Sequence, residues 1–421
     1  MQVFKFGGAS VKDAEAVINV GSILKKHALQ PTVVVISAMG KVTNKLEELV
    51  KAYFFRSPNL MTVFEEVQQY HFDILKKLIP NTSHVIYSDL HNVFLELLWA
   101  IEEPPAFTFN HHYDQIVSLG EVLSTKIVSA YLDHAGITNK WIDARGIIQT
   151  DNTYREGKVD YDLSEKIVKD QLLPLLENNK IIITQGFIGG TSENYTTTLG
   201  REGSDYTASL LAYFLNAEKV IIWKDVPGVL NADPKYFKNT QKIKELTYHD
   251  AIELTYYGAS VIHPKTIKPL QNKGIPLFVR SFLKPEEEGT VIKESDKRLS
   301  VASYIFKTDQ ILISIQPKDF SFIAEDNLSN IFAILSNHGV KVNMMQNSAI
   351  SFSICVDDDD FKIKPLIEEL QNQFKVLYNK NVQLMTIRNY DNDIISKLSA
   401  DKVILMEQKS RNTHQMVIRS E

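Results

Sequence analysis

The chain begins with MQVFKFGG (residues 1–8), which predicts a short strand over 3–6 that the two glycines end. Apolar residues at helical spacing follow over 12–27, and the β-branched run over 32–36 is typical of a buried parallel strand. Further buried strands are predicted at 180–184, 220–223 and 276–279. This alternation of strands and helices predicts an α/β fold, with a parallel or mixed sheet covered by helices on both faces.

The composition excludes several classes of protein. The chain has 421 residues, of which 44% are hydrophobic and 23% charged, so we expect a globular protein of two or three domains. A formal charge of -5 argues against bulk binding to nucleic acid or to an anionic membrane. No apolar run approaches the roughly 18 residues that cross a bilayer, and the N-terminus lacks the pattern of a signal peptide. The single cysteine, Cys355, cannot form an internal disulfide, so a cytoplasmic location is expected.

The pattern of elements changes twice along the chain. Residues 56–112 are mostly helical and predict an insertion beside the sheet, while the polar stretch KPEEEG (284–289) begins a linker to about residue 300. Beyond it the pattern is strand (311–315), helix, strand, strand, helix, with a further short strand at 376–378. Three strand-like runs follow, the first at 382–387, with one short helix between them. That is one strand too few for a second copy of the same unit, and residues 299–306 would supply it. We therefore predict two small domains, 307–380 and 299–306 plus 381–421, with the first nested in the second.

The segment KFGGAS (5–10) contains groups that suit a phosphate. Lys5 ends the first predicted strand, and free backbone N–H groups after Gly7 and Gly8 can bind an anion. The order of residues is not that of a Walker A loop. The two glycines would serve equally well in a tight turn without a ligand, so both interpretations stay open.

The segment TTTLGREGSDY (196–206) precedes an apolar helix at 207–215. Ser204 or Asp205 can cap that helix, and the planar guanidinium of Arg201 suits a carboxylate. A capped surface loop with a solvated arginine is the competing interpretation.

Two further segments lie where ligands bind in open α/β sheets or at the start of a helix. KDVPGVLNADP (224–234) follows the predicted strand 220–223, although its turn-forming pairs also fit an ordinary loop. Glu121, in SLGE (118–121), can bind a ligand or simply complement the helix dipole. No metal site held by the protein is predicted, because none of the eleven histidines has zinc-ligand spacing with cysteine support.

Taken in order, these segments resemble the aspartate kinases of the amino-acid kinase superfamily. The matching stretches are KFGGASV (5–11), VISAMG (35–40) with Thr43 and Asn44, LGE (119–121), TQGFIG (184–189), 196–208, 223–234 and YGASVIHP (257–264). The remainder resembles the paired ACT regulatory domains of that family. The resemblance implies an amino-acid-kinase-like αβα sandwich over 1–290, followed by two small ACT-like domains of the ferredoxin-like βαββαβ fold.

The activity that the resemblance implies is ATP-dependent phosphorylation of the side-chain carboxylate of L-aspartate, the first step of lysine, threonine and methionine biosynthesis. It implies that Lys5 and Asp205 are catalytic, with Asp205 orienting Lys5. Arg201 would hold the α-carboxylate of aspartate and Glu121 its ammonium group. The same pocket would be lined by Thr43, Phe187 and Ser204.

The resemblance also implies a nucleotide site and a magnesium ion held mainly by the ATP phosphates. The implied nucleotide-binding residues are Lys5, Gly7, Gly8, Ser10, Lys224, Asp225, Leu230, Lys235 and Ser260. Several positions depart from the family pattern: Glu202 stands at a usual glycine, Lys224 at a threonine, Leu230 at a tyrosine, Lys235 at an arginine and Ser260 at a lysine. We expect Lys224 to supply the positive charge that Ser260 does not. The alternative is that Lys224 points to solvent and that Lys235 or Lys265 supplies the charge.

Regulation and assembly are implied as well. Asn343 and Ser348 would contact an amino-acid effector, lysine or threonine, and the ACT-like domains would form a homodimer. No homoserine dehydrogenase region follows, so a monofunctional enzyme is expected. The alternatives are a catalytically silent amino-acid sensor of the same fold and a kinase for another carboxylate, such as glutamate or N-acetylglutamate. The presence of Lys5, Glu121, Arg201 and Asp205 disfavours the sensor.

Overall fold

The structure is a computed structural model that describes residues 1–178, 180–258, 262–296, 301–319, 321–390, 392–400 and 402–420. The chain divides into two compact units. The first comprises Met1–Val229, Lys242–Ile252 and Val261–Arg298, and the second comprises Leu230–Gln241, Glu253–Ser260 and Leu299–Glu421. Among the described helices, none has both the length and the apolar content that would let it span a bilayer.

The elements up to the end of the first unit alternate between strands and helices, as the sequence predicts. In chain order they are β1 (Gln2–Phe6), α1 (Ala14–His27), β2 (Thr32–Ile36), α2 (Val42–Phe54), α3 (Leu60–Leu78), α4 (Val85–Glu102), α5 (Phe109–Val117), α6 (Leu119–His134), β3 (Lys140–Ile142), α7 (Tyr161–Asn178), β4 (Ile181–Gln185), β5 (Ile188–Gly190), β6 (Thr196–Thr198), α8 (Gly203–Leu215), β7 (Lys219–Lys224), β8 (Glu245–Leu246), α9 (Tyr248–Tyr256), α10 (Pro264–Lys273), β9 (Leu277–Ser281) and β10 (Thr290–Ile292). The α/β class is therefore confirmed.

Eight of these strands form one mixed sheet within the described residues, in the order β3-β4-β2-β1-β7-β9-β10-β8. The first six strands in this order, β3 to β9, pair in parallel, and β10 runs antiparallel to β9. A separate hairpin joins β5 to β6. Since β1 lies in the middle of the parallel part, its carboxyl end is flanked by those of β2 and β7.

Alternate residues of β1 point to opposite faces of the sheet. Phe4 and Phe6 are fully buried in a core cluster that includes residues of α1 to α6. Lys5 therefore points to the other face, on which α8 packs against β1, β2 and β7. The helices α3, α4 and α5 fill the predicted insertion at 56–112 and bury their apolar faces in the same cluster as Phe4 and Phe6.

The second unit contains a six-stranded antiparallel sheet in the described residues, in the order β12-β13-β11-β14-β16-β15. Its elements are β11 (Ser303–Pro317), α11 (Glu325–Asn337), β12 (Val342–Asn347), β13 (Phe352–Asp357), α12 (Asp360–Gln373), β14 (Phe374–Arg388), α13 (Asn392–Ser399), β15 (Lys402–Lys409) and β16 (Thr413–Ser420). This sheet and its helices confirm the ACT-like fold class.

Two strands of this sheet are longer than the sequence predicts. Separate runs were expected at 299–306 and 311–315, but residues from Ser303 onward form the single strand β11; 299 and 300 lie outside the described residues. In the same way β14 joins the runs predicted at 376–378 and 382–387. The polar residues between the runs form a bulge rather than a break, with Asp309 and Asn381 in the left-handed region at φ +55° and +56°.

Strand β11 pairs with β14 in two parts, which are separated by the bulge. In the first part of β11, Ser303 pairs with Arg388 and Lys307 pairs with Leu384. The same section of β14 pairs with β16 on its other side. The second part, from Gln310 to Pro317, pairs with the beginning of β14 and with β13. The exact limits of the two small domains, 307–380 and 299–306 plus 381–421, stay predictions.

Candidate functional site

A cavity of about 720 Å³ lies in the first unit, at the carboxyl ends of β1, β2, β4 and β7. Ligands of open α/β sheets bind at this end of the strands. Eight residues that the resemblance assigns to the site line the cavity: Lys5, Thr43, Glu121, Phe187, Arg201, Ser204, Asp205 and Lys224. They come from segments far apart in the chain, so the fold brings all seven predicted catalytic and aspartate-binding residues together, along with Lys224.

Two lysines share one buried carboxylate in the wall of this cavity. The Lys5 ammonium lies 2.6 Å from Asp205 Oδ1, and the Lys224 ammonium lies 3.4 Å from Asp205 Oδ2. Burial alone would raise the pKa of the Asp205 carboxyl, but Lys5 and Lys224 outweigh it and hold that pKa below its ordinary value. Asp205 is therefore ionised at neutral pH and aligns the two ammonium groups. Lys224 faces this carboxylate, and its side chain is mostly buried.

The turn after β1 brings the backbone close to the loop that follows β2. A Cβ on Gly8 would lie 2.6 Å from the carbonyl oxygen of Gly40, so only glycine fits there. Gly7 lies beside Lys5, since a Cβ on it would meet Lys5 Nζ at 3.4 Å. The segment then forms a short 3-10 turn, Gly8–Val11, before α1 begins at Ala14 with Asp13 as its cap. Helix α1 thus starts two residues later than predicted, because Asp13 accepts a hydrogen bond from the N–H of Ala16.

Glu121, in the first turn of α6, is buried rather than solvated. Its Oε1 accepts a hydrogen bond from the N–H of Ala38 at 3.2 Å, whereas its Oε2 has no partner among the described residues. Burial raises the pKa of this carboxyl to about 8. A buried acceptor with one unused oxygen, in the wall of a cavity, is suited to a cationic group of a ligand.

The loop that leads into α8 departs from the prediction at its cap. Ser204 and Asp205 lie inside the first turn of α8, and neither caps it; the preceding residue, Glu202, occupies the cap position without a side-chain cap bond. Glu202 has a left-handed backbone at φ +54°, a conformation that favours glycine. Its Oε2 accepts a hydrogen bond from the N–H of His263 at 2.9 Å. That bond offsets a backbone cost of about 1 kcal/mol.

Arg201 and Phe187 border the same loop. Arg201 is exposed and forms no ion pair or side-chain hydrogen bond with another described residue, so its guanidinium is available to an anion. Phe187 also has a left-handed backbone, at φ +70°, and its N–H is bound by the Thr207 hydroxyl of α8 at 3.0 Å. These contacts fix Phe187 against the start of α8.

The predicted nucleotide-binding residues are divided between the two units. Ser10 is buried in the turn next to Gly7 and Gly8, and Asp225 is exposed directly after β7. Leu230 and Lys235 belong to the second unit, where the N–H of Lys235 donates to Asp233 Oδ1. Ser260 lies outside the described residues.

The two predicted effector residues, Asn343 and Ser348, belong to the second unit and form hydrogen bonds with different partners. Asn343 accepts a hydrogen bond from the Lys307 ammonium at 2.8 Å and donates to both Gln310 and Asp357. Ser348 instead closes a turn, with its hydroxyl 2.7 Å from that of Ser351. An effector group that accepts a hydrogen bond from the Asn343 NH2 group would have to replace an existing bond, because both of its protons are already donated.

Nine other residues line the cavity: Gly200, Glu202 and Gly203 lie at the loop that leads into α8, described above, and the remaining six were not predicted as site residues. These six are Ser37, Glu47, Tyr113, Arg155, Glu156 and Thr198. The Tyr113 hydroxyl donates to Glu47 Oε1 at 2.6 Å, and the Arg155 guanidinium lies 4.3 Å above the Tyr113 ring. Ser37 and Thr198 lie within or beside matched motifs, but no pattern in the sequence marks the others.

Known proteins resemble this chain in sequence and in fold. A model of the amino acid kinase family matches residues 1–281. The lysine-sensitive aspartokinase 3 of Escherichia coli (strain K12) is 30% identical over 398 residues, which cover 92% of this chain and 87% of that protein.

Two solved structures of E. coli aspartokinase III are similar over 99% of this chain, each at 27% identity. The complex with aspartate and ADP (R-state) has a TM-score of 0.85 and is covered to 96% of its length. The complex with lysine and aspartate (T-state) has a TM-score of 0.84 and is covered to 95%. Because these similarities extend over nearly the whole of both chains, this chain belongs to the amino acid kinase family and, within it, to the aspartokinases.

Proposed function

We propose that this chain transfers the terminal phosphoryl group of ATP to the side-chain carboxylate of L-aspartate and forms 4-phospho-L-aspartate and ADP. The observation that carries the proposal is the Lys5–Asp205–Lys224 cluster, which faces the same cavity as Glu121 and Arg201. The cavity thus offers cations for phosphate and carboxylate groups and a buried carboxyl for an ammonium group.

The chemistry needs positioning and charge neutralisation rather than a general base. The attacking carboxylate is already ionised near pH 7. One of its oxygens forms a bond to the γ-phosphorus while the bond to the β–γ bridging oxygen breaks, and ADP leaves with that electron pair. Lys5, held by Asp205, would neutralise charge on the transferring group and thereby lower the barrier.

The aspartate contacts follow from the charges that line the cavity. Arg201 would bind the α-carboxylate, and Glu121 would accept a hydrogen bond from the ammonium group. Thr43, Phe187 and Ser204 would complete the pocket around the substrate.

The nucleotide site is proposed from the resemblance and from Lys224. The ATP phosphates would lie against Lys5, Lys224 and the Gly7–Ser10 turn, with Asp225, Leu230, Lys235 and Ser260 as further contacts. Magnesium would be held mainly by the phosphates, because the Asp205 carboxylate is already engaged by two ammonium groups. When bound, the ion would neutralise charge on the phosphate oxygens.

The same proposal includes regulation by lysine or threonine through Asn343 and Ser348, and a homodimer formed by the ACT-like domains. It also includes a cytoplasmic location and a role at the start of lysine, threonine and methionine biosynthesis. The E. coli relative is named as lysine-sensitive, and one of its structures contains lysine. These similarities support an amino-acid effector.

Trapping of the acyl phosphate with hydroxylamine tests the proposed reaction. The purified chain, ATP and magnesium should yield a hydroxamate with L-aspartate and not with glutamate or N-acetylglutamate. Arg201→Ala should raise the KM for aspartate about tenfold to hundredfold, because a charged hydrogen bond to the substrate is lost. Hydroxamate from glutamate, or from none of the three acids, would contradict the proposal and support another carboxylate kinase or a silent sensor.

A further inference from the structure

One buried carboxylate joins two separate segments of the cavity wall. Asp114, on α5, is fully buried and receives three hydrogen bonds. Its Oδ2 accepts from the N–H of Arg155 at 2.8 Å and from the N–H of Thr198 at 2.9 Å. Its Oδ1 accepts from the Thr198 hydroxyl at 2.7 Å. Arg155 and Thr198 both line the cavity, whereas Asp114 does not.

These hydrogen bonds fix the direction in which the Thr198 hydroxyl can act. Burial raises the pKa of the Asp114 carboxyl to about 6, and the bonds it accepts oppose that rise, so the group is mainly ionised at neutral pH. An ionised carboxylate only accepts hydrogen bonds, and a hydroxyl has a single proton. That proton is committed to Asp114, so any further bond to the Thr198 oxygen must come from a donor.

The substrate of the proposed reaction carries one strong donor, its ammonium group. The acceptors of the cavity wall include the unpartnered Oε2 of Glu121 and the oxygen of Thr198, whose own proton is already donated. We propose that Asp114 is a positioning residue that fixes the Thr198 hydroxyl as an acceptor for the ammonium group of aspartate. This inference rests on the proposed function.

The isosteric substitution Asp114→Asn gives a sharp test, because its amide can take only one orientation. The Oδ2 site faces two N–H donors, so the amide oxygen must occupy it and the NH2 group must occupy the Oδ1 site. The NH2 group then donates to the Thr198 oxygen, and the Thr198 proton has to turn away. The variant keeps both backbone bonds but reverses the polarity of the hydroxyl.

The rest of α5 keeps these segments in place in the variant. The Gln115 side chain accepts from the N–H of Thr196 at 3.0 Å and donates to its carbonyl oxygen at 2.8 Å. The His111 ring packs at 5.0 Å from the Tyr154 ring and 4.9 Å from the Tyr195 ring. Asp114→Asn should therefore fold normally.

We expect Asp114→Asn to raise the KM for aspartate about tenfold to hundredfold, the worth of a hydrogen bond to a charged group, and to leave the KM for ATP within about twofold. Succinate, the same diacid without the amino group, serves as an internal probe. Its inhibition constant against aspartate should not change, because it has no ammonium group. Thr198→Val should reproduce the rise in KM, and Thr198→Ser, which keeps the hydroxyl, should retain the wild-type value.

Asp151→Asn is a matched control. Asp151 also accepts two backbone N–H bonds, from Thr153 and Lys158, and a threonine hydroxyl bond, but it is exposed and does not line the cavity. Its variant should behave as wild type. Equal weakening of aspartate and succinate would show a structural role only and overturn the inference, as would an unchanged KM in Asp114→Asn. Absence of wild-type activity with aspartate would instead overturn the proposed function itself.

Discussion

The buried carboxyl of Glu121 should make aspartate binding depend on pH in a defined way. Its pKa is raised to about 8 by burial, so in the free enzyme at pH 7 the group is mostly protonated. If Glu121 binds the substrate ammonium, it must be ionised in the complex, because a protonated carboxyl is a poor partner for a cation. Binding of aspartate should therefore release a proton, and Glu121→Gln should abolish that release.

The magnitude follows from the titration curve. A group with a pKa near 8 is about 90% protonated at pH 7, so about 0.9 proton should leave for each aspartate bound. Below the pKa, the ionised fraction rises about tenfold per pH unit. At saturating ATP, kcat/KM for aspartate should rise by that factor from pH 6 to pH 7 and level off above about pH 8.

Two assays check this reasoning. Titration calorimetry at pH 7 in buffers of different ionisation enthalpy counts the released protons, and steady-state kinetics across pH gives the profile. Glu121→Gln should release no proton at pH 7 and should lose the tenfold rise in kcat/KM between pH 6 and pH 7, while Glu156→Gln, an exposed glutamate of the same cavity, should behave as wild type. A wild-type profile that is already flat between pH 6 and pH 8, or a Gln variant with the wild-type slope, would refute the assignment.

Three further predictions concern the two lysines of the cavity and the second unit. Lys5→Ala should lower kcat by about a hundredfold to a thousandfold with the fold intact, because a positive charge beside the transferring group is lost. Near-normal turnover would show that Lys5 does not stabilise that group. Lys224→Thr should raise the KM for ATP and spare that for aspartate, and adding Ser260→Lys should restore part of the loss; an unchanged KM for ATP would exclude Lys224 from the nucleotide site. Lysine, threonine and methionine, titrated singly and in pairs, should give inhibition by threonine or weak inhibition by lysine, because Asn343 is neutral and already hydrogen-bonded; flat curves would contradict a regulatory role.

The parts of the fold that the sequence predicts well are those set by local patterns. The buried β-branched run over 32–36 became β2 without change, and the glycines after Phe6 ended β1 where expected. The charged site residues were predicted through motifs, and the structure brings Lys5, Glu121, Arg201 and Asp205 around one cavity. Periodicity and turn chemistry act over a few residues, which a sequence displays directly.

The features that escaped prediction depend on contacts between distant segments. Nothing near Asp114 in the sequence shows that its carboxylate will meet the backbone of Arg155 and Thr198. The backbone at Glu202 could not be anticipated either, since its left-handed conformation is accompanied by a bond to the N–H of His263. The polar residues at the middle of β11 resembled a loop because a bulge and a break have the same composition.

The two long strands of the second unit have a consequence for how that unit is made and lost. Ser303 at the start of β11 pairs with Arg388 at the end of β14. During synthesis, β11 therefore cannot complete its pairing until β14 has emerged from the ribosome. Both β11 and β14 belong to the half of the sheet that contains β12 and β13 and to the half that contains β15 and β16. We therefore expect that neither half folds as an independent fragment. Chemical denaturation should accordingly unfold this unit in a single cooperative transition. A proteolytic cut at the Asp309 bulge should unfold both halves of the sheet together.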